Sequence, residues 1–279
     1  MANTIPAATP WEGVTAHPPV DVLNGFKWEL FNLKEDPTQT NDLSQQEPEG
    51  LKRMQELWMI EAMRNNVLPL NASQVAVLTV ERPGPAAGRT QFVYSSPNAS
   101  NQFAVAPSIL NRSYTITAEF EGPQGGANGV LVTQGGRFSG YGLYLKDGKP
   151  TFTLNLLDIE RPKWQSPDPL PAGKHTIVFD WKPEPTGAPI RRGGTGTLSV
   201  DGAAVATRSL PHTQPFIWAW DETFDVGLDT GTPVDDSDYQ VPFPFTGKLE
   251  KITIDLGETL MSPEAIKAMM EELAKKRNR

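Results

Sequence analysis

The side chains with most capacity for chemistry in this chain are acidic and aromatic. Asp221-Glu-Thr-Phe-Asp-Val-Gly-Leu-Asp, followed by Asp235-Asp-Ser-Asp, is the densest group of oxygen donors. Calcium takes about six to eight hard oxygen ligands, and Asp225, Asp229, Asp235 and Asp236 are the residues that would supply them. The spacing lacks the D-x-[DN]-x-[DN]-G order of an EF-hand, so a solvated acidic loop is the competing reading. Phe216-Ile-Trp-Ala-Trp sets Trp218 and Trp220 on one face of a strand, because strand side chains alternate. Trp164 stands alone among prolines, as in a loop. These three tryptophans are the candidates for stacking on a carbohydrate ring, with core or inter-domain packing as the competing role of the strand pair.

Other groups offer less. His17, His175 and His212 are scattered, with no serine or carboxylate at a useful spacing, so structural or surface roles are expected. Gly193-Gly-Thr-Gly-Thr leads toward a strand rather than a helix, which removes the helix N-terminus that would hold a phosphate. It reads as a hairpin connector. Arg137, Arg161, Arg191 and Arg192 are of the type that clamps sulfate, but read better as surface charge. No catalytic residue is assigned.

The whole-chain composition narrows the classes further. In 279 residues there is no Cys, which excludes disulfides, thiolate metal sites and a cysteine nucleophile. A net charge of -8 argues against a polyanionic partner such as nucleic acid. No stretch approaches the roughly 20 apolar residues of a membrane span, and no membrane partner is expected. The first residues have neither the cationic nor the apolar part of a secretory signal.

Several elements must position these side chains. Residues before 26 are Pro-rich and read as an extended lead-in. Lys27 to Leu33 alternates and stops at Asp36-Pro37, as a short strand would. From Pro48 to about Asn65, Leu51, Met54, Leu57, Trp58 and Met63 recur at helical spacing, which predicts a helix of about four turns. Beyond Leu70 the texture is one of short strands: Gln91–Tyr94, Tyr114–Phe120, Gly129–Thr133, Gly142–Lys146, Thr151–Leu156, His175–Trp181, Gly196–Val200 and Lys248–Asp255. Asp147-Gly148 and Asp201-Gly202 are hairpin turns between such runs. Many strands without interposed helices predict a mainly β, antiparallel sandwich of the concanavalin A-like or jelly-roll kind. A helix over 262–276, capped by Ser262, closes the chain. The expected division is 1–70 (lead-in, strand, helix) and 71–279 (sandwich with C-terminal helix).

Trp28-Glu-Leu-Phe-Asn-Leu-Lys-Glu-Asp-Pro-Thr-Gln-Thr-Asn-Asp-Leu resembles the segment near the end of arylsulfatases, and Glu47 to Leu70 continues the match. Gly135-Gly-Arg-Phe-Ser-Gly-Tyr-Gly-Leu-Tyr-Leu-Lys-Asp-Gly-Lys-Pro is similar to the concanavalin A-like C-terminal extension of large bacterial arylsulfatases. So are Leu170-Pro-Ala-Gly-Lys-His-Thr and Asp221 to Val234. The resemblance implies a sulfuric ester hydrolase whose formylglycine, made from a C/S-x-P-x-R motif, works with a divalent cation. That motif is not in this chain: Cys is absent, and Ser95-Ser-Pro-Asn-Ala lacks the arginine. The expectation is therefore a non-catalytic C-terminal part, inactive alone, that packs on a sulfatase catalytic domain supplied by other polypeptide. Periplasmic or cytoplasmic bacterial location goes with that resemblance. An independent carbohydrate-binding, lectin-like module is the alternative, with carbohydrate or a sulfate ester as ligand. A homo-oligomerisation module is the third reading.

Overall fold

The strand residues alternate between two destinations, and that alternation builds the molecule. In β3 (Arg112–Gly122), Tyr114, Ile116, Ala118 and Phe120 are buried while Thr115, Thr117 and Glu119 between them face outward. The computed structural model describes residues 27–68, 86–101, 105–187, 190–214, 222–262 and 264–265. They fall into two compact units, one within 1–80 and one within 81–269. The boundary expected at 70/71 lies in 69–85, outside the described residues.

The larger unit is the sandwich. Its first sheet runs in the order β1-β12-β3-β8-β9-β10 and its second in the order β2-β11-β4-β5-β6-β7. Besides β3, the first sheet holds β1 (Gln91–Tyr94), β8 (Gly173–Pro183), β9 (Arg192–Val200), β10 (Ala203–His212) and β12 (Lys248–Thr259). The second holds β2 (Asn98–Asn101), β4 (Gly129–Gly136), β5 (Ser139–Lys146), β6 (Lys149–Asn155), β7 (Lys163–Gln165) and β11 (Phe224–Val226). Every strand pairing is antiparallel. The concanavalin A-like, jelly-roll sandwich expected from strand texture is therefore the fold. The Asp-Gly turns join β5 to β6 and β9 to β10, and all four of their residues have positive φ, as a type I′ turn requires.

Aromatic rings bridge the two sheets. Phe152 of β6 stacks on Phe179 of β8 with centroids 3.5 Å apart, and Trp164 meets the edge of Phe179 at 5.1 Å. Trp164 lies in β7, 1% exposed, and its indole N–H donates to the Gly196 carbonyl at 2.8 Å. The expected exposed loop tryptophan is thus a core residue. Gly196 faces it because a Cβ there would lie 2.8 Å from the rings of both Trp164 and Phe179. Gly193, Gly194 and Gly196 are strand residues of β9 rather than a hairpin connector, each lacking a side chain where backbone or a ring comes close.

The smaller unit contains α1 (Pro48–Arg64), with proline in its first turn as expected. Asn65 ends it, and Asn66 takes the positive φ of a helix stop. Lys27 to Leu33, expected as a short strand, forms no strand, and Leu33 lies in a turn. Leu30 instead accepts from Leu43 N–H at 2.8 Å and donates to Asp42 Oδ1 at 3.0 Å. Trp28 meets Trp58 edge-on at 5.9 Å. The helix buries Ala62 and half-buries Leu51, Trp58 and Met59, so the inward stripe is narrower than the sequence pattern implies. Leu57, Ile60 and Met63 turn outward, 50%, 56% and 70% exposed. The expected C-terminal helix lies mostly outside the described residues; Ser262 Oγ accepts from Ala265 N–H at 3.2 Å, which is the expected cap.

Overpacking tests the bridge between the sheets. Gly196→Val should lower stability by about 1–3 kcal/mol, and Trp164→Ala by about 3–5 kcal/mol, read from urea midpoints.

Candidate functional site

The strands β4, β5 and β6 of the second sheet are buried on both faces, although β6 puts Thr151, Thr153 and Asn155 on one of them. All eight residues of β4 are buried, as are seven of eight in β5 and six of seven in β6. One face packs on the first sheet. The other is covered by the chain's own residues 227–246, which form a strap. Val130 and Tyr144 of the sheet pack with Tyr239 of the strap, joined by Val241 and Phe243. Backbone bonds pin the strap's ends: Gly227 N–H to Leu131 O at 2.9 Å and Thr246 N–H to Asn128 O at 2.8 Å. It crosses Gly129 so closely that a Cβ there would lie 2.1 Å from the Pro244 carbonyl.

The acidic stretch supplies the strap's internal acceptors. Asp225 accepts from Ser100 N–H at 2.6 Å and from the Thr230 hydroxyl at 2.7 Å. Asp229 accepts from the Tyr239 hydroxyl at 2.6 Å. Asp235 accepts from the Ser237 hydroxyl at 2.6 Å and pairs with Lys163 at 2.7 Å; Asp238 is the second partner of that lysine, at 2.8 Å, and takes the Tyr144 hydroxyl as well. Asp236 lies 3.6 Å from Arg161. Among the described residues no group of three or more His, Asp or Glu is placed to hold a metal ion. Of the four aspartates that would ligate calcium, Asp225 lies in β11 and the other three along the strap, and each faces protein partners.

Titration follows from this packing. Burial pushes the Asp229 carboxyl up to about 7; the charges of Asp225 and Glu222 add to the effect, against the hydrogen bond from Tyr239. Burial alone would raise Asp235 too, but bonds from Lys163 and Ser237 and the lysine charge hold it below the usual carboxylate value.

At one end of the sandwich, Asn155 ties three segments together. Its fully buried amide donates to the carbonyls of Gly136 (3.0 Å), Arg137 (2.7 Å) and Val234 (3.1 Å), and its oxygen accepts from Asp158 N–H at 2.9 Å. This holds out Phe138, Leu157 and Ile159, of which Ile159 is 81% exposed. Sequence reasoning named neither Asn155 nor Tyr239, and no local pattern marks them.

The outer face of the first sheet is different. Its outward residues are half-exposed or exposed and mostly polar, with rows of short side chains in register. Asp255, Thr115, Asp180, Thr197 and Thr207 form one row across five strands, continued by Gln91 opposite Asp255. Thr253, Thr117, Val178 and Ser199 form the next. A groove of about 390 Å³ lies over β12, β3 and β8, lined by Ser113, Thr115, Asp180, Lys182, Asp255 and Gly257.

Of the aromatic candidates, Trp164 has no free ring face, and Trp218 and Trp220 lie outside the described residues. His175 is a strand residue held by Asp201 (2.7 Å) and the Pro171 carbonyl (2.9 Å), and His212 lies 3.5 Å from Glu160. Among the described residues neither ring is bonded to a serine or threonine hydroxyl.

The chain matches no protein-family model and no curated relative. Its sandwich is similar to solved β-sandwich domains. One is the CBM40 of the Ruminococcus gnavus IT-sialidase, bound to α2,6-sialyllactose: 15% identity, TM-score 0.38, covering 56% of this chain and 82% of that one. Another is domain 4 of AbnA, a GH43 arabinanase from Geobacillus stearothermophilus, with arabinotriose: 14%, TM-score 0.37, 58% and 68%. A third is the SAP-like pentraxin of Limulus polyphemus: 12%, TM-score 0.35, 53% and 67%. None of the three is a sulfatase. Likeness at this level concerns the sandwich and says nothing of what this chain binds.

Two measurements test the strap. Asp229 has a folded pKa near 7 against 3.8 for the free group, so its contribution is present at low pH and is lost as pH rises through 7. Stability should fall by about 2–4 kcal/mol between pH 4 and pH 8, and Asp229→Asn should flatten that dependence in urea titrations. Lys163→Met strands the buried Asp235 and should cost about 2–4 kcal/mol at pH 7, less at a pH where Asp235 is protonated.

Proposed function

We propose that this chain is a non-catalytic, carbohydrate-directed module of a larger hydrolase. The observation that carries the proposal is the unequal use of the two broad faces of the sandwich. One face is sealed, and its carboxylates and hydroxyls bond one another under the strap, where they meet no substrate. The other is open and presents hydroxyls and carboxylates in register, groups that exchange hydrogen bonds with sugar hydroxyls but form no activated nucleophile. Among the described residues, no serine or threonine is held by a histidine as a general base would hold it.

An arylsulfatase-type parent is the finer form of this reading, and one observation favours it. The segment that resembles arylsulfatases has features that suit a docking element. Asp36 accepts from Thr40 N–H and Asn41 N–H at 3.1 and 2.8 Å, and Asp42 from Leu30 and Ser44 N–H, so the turn before α1 is locked from within. The helix that follows turns Leu57, Ile60 and Met63 to solvent, an apolar stripe of the kind that marks an interface. A separate catalytic domain is the partner that the resemblance supplies for it.

The purified chain should not turn over 4-nitrophenyl sulfate above background with calcium or magnesium, and turnover would end the non-catalytic reading. Light scattering should give a monomer. A dimer that Ile60→Glu dissociates would assign the helix stripe to self-association instead. A polysaccharide panel on which the chain shows no binding would remove the carbohydrate part.

A further inference from the structure

We infer that the groove over β12, β3 and β8 is a subsite for a neutral sugar chain lying across the strands. This rests on the carbohydrate reading above and assigns it a place and a ligand class. Adjacent strands are about 4.8 Å apart, so Asp255 and Asp180, two strands apart with Thr115 between, stand about 10 Å from each other. A sugar ring over Thr115 would have one carboxylate on either side.

Both carboxylates are oriented before a ligand arrives. Asp255 Oδ1 accepts from the Gln91 side-chain amide at 2.7 Å. Asp180 Oδ1 accepts from the Thr115 hydroxyl at 2.9 Å, and its Oδ2 lies 3.2 Å from Lys182 Nζ. Asp255 Oδ2 is left to accept from a sugar hydroxyl, and Lys182 keeps donors for a sugar oxygen. An acceptor whose geometry is already fixed loses little entropy on binding. The floor is kept low by Gly257, where a Cβ would lie 2.0 Å from Ser113 Oγ. Beyond Asp180 the row continues through Thr197 and Thr207. From Gln91 to Thr207 it spans five strand spacings, or about 24 Å, enough for several sugar rings.

The charges select the ligand. The groove carries two carboxylates against one ammonium that is already paired with Asp180, so sulfated or uronic acid sugars meet like charge. A protein partner would look for buried aromatic or aliphatic anchors, and this row offers short polar side chains. Neutral hydroxyl-rich chains fit.

Native affinity electrophoresis of the whole chain through gels containing xylan, mixed-linkage β-glucan, galactan, arabinan or chondroitin sulfate tests the inference. Retardation by at least one neutral polysaccharide and none by chondroitin sulfate is expected. Thr115→Val with Asp255→Ala should weaken that binding at least tenfold in calorimetry, with the urea midpoint showing that the variant is folded. Phe138→Ser, in the turn between β4 and β5 of the other sheet and outside the groove lining, should bind as the unchanged chain does. Retention of binding in the groove variant, or its loss in Phe138→Ser, would move the site elsewhere and overturn the inference while leaving the carbohydrate reading in place. Binding confined to chondroitin sulfate would overturn the ligand class. No retardation by any polymer would overturn both. If the double variant fails to fold, Thr197→Tyr, an outward substitution in the same row, reads the same surface by obstruction.

Discussion

A β-sheet buried on both faces needs two covers, and this requirement organises the sandwich. The strands β4, β5 and β6 are buried on both sides, and the first sheet can cover only one side of them. The strap satisfies the other. It does so with a mixed surface, in which Tyr239 and Phe243 supply apolar contact and aspartates supply acceptors for the backbone and hydroxyl groups that would otherwise be buried without partners. Lys163 is the counter-charge that makes two of those carboxylates tolerable.

The same requirement divides the chemistry of the molecule. Acidic groups that look reactive in the sequence are consumed as structure on the sealed side. What faces outward on the other sheet is a mostly polar surface of threonine, serine and aspartate with Val93 and Val178 among them, whose outward position follows from the alternation that sends Ile116, Ile177 and Ile254 into the core. The proposed binding surface is thus the reverse side of the hydrophobic core and inherits its regular spacing from it.

Local signals in the sequence were reliable where the physics is local. Asp147-Gly148 and Asp201-Gly202 announce their turns because tolerance of positive φ depends on a residue's own side chain and not on distant partners, and Pro48 announces the first turn of α1 for the same kind of reason. Where partners are distant, the sequence was mute or misleading. Trp164 belongs to a strand of three residues flanked by prolines, too short to show alternation, and its indole is satisfied by a glycine 32 positions away. An acidic run reads alike whether solvated or buried, because Ser100, Lys163 and Tyr239, which decide the matter, are not part of it. The apolar residues of α1 recur at helical spacing on two sides, so periodicity alone did not tell the inward stripe from the exposed one. The arylsulfatase resemblance rests on the turn and helix of the smaller unit and on segments of the sandwich, and the comparisons with known proteins do not link the chain to sulfatases.

The pairing of β1 with β12 joins residue 91 to residue 255, so the two ends of this unit are neighbours in one sheet. Each of those strands contributes core residues, Phe92 on one and Ile252 and Ile254 on the other. During synthesis the earlier strand waits for almost the whole unit to emerge before its edge is covered, and loop closure over that distance must precede the reward of packing. Chains cut short before β12 would carry an open β3 flank and an unmatched β1, the kind of exposed edge through which nascent polypeptides aggregate.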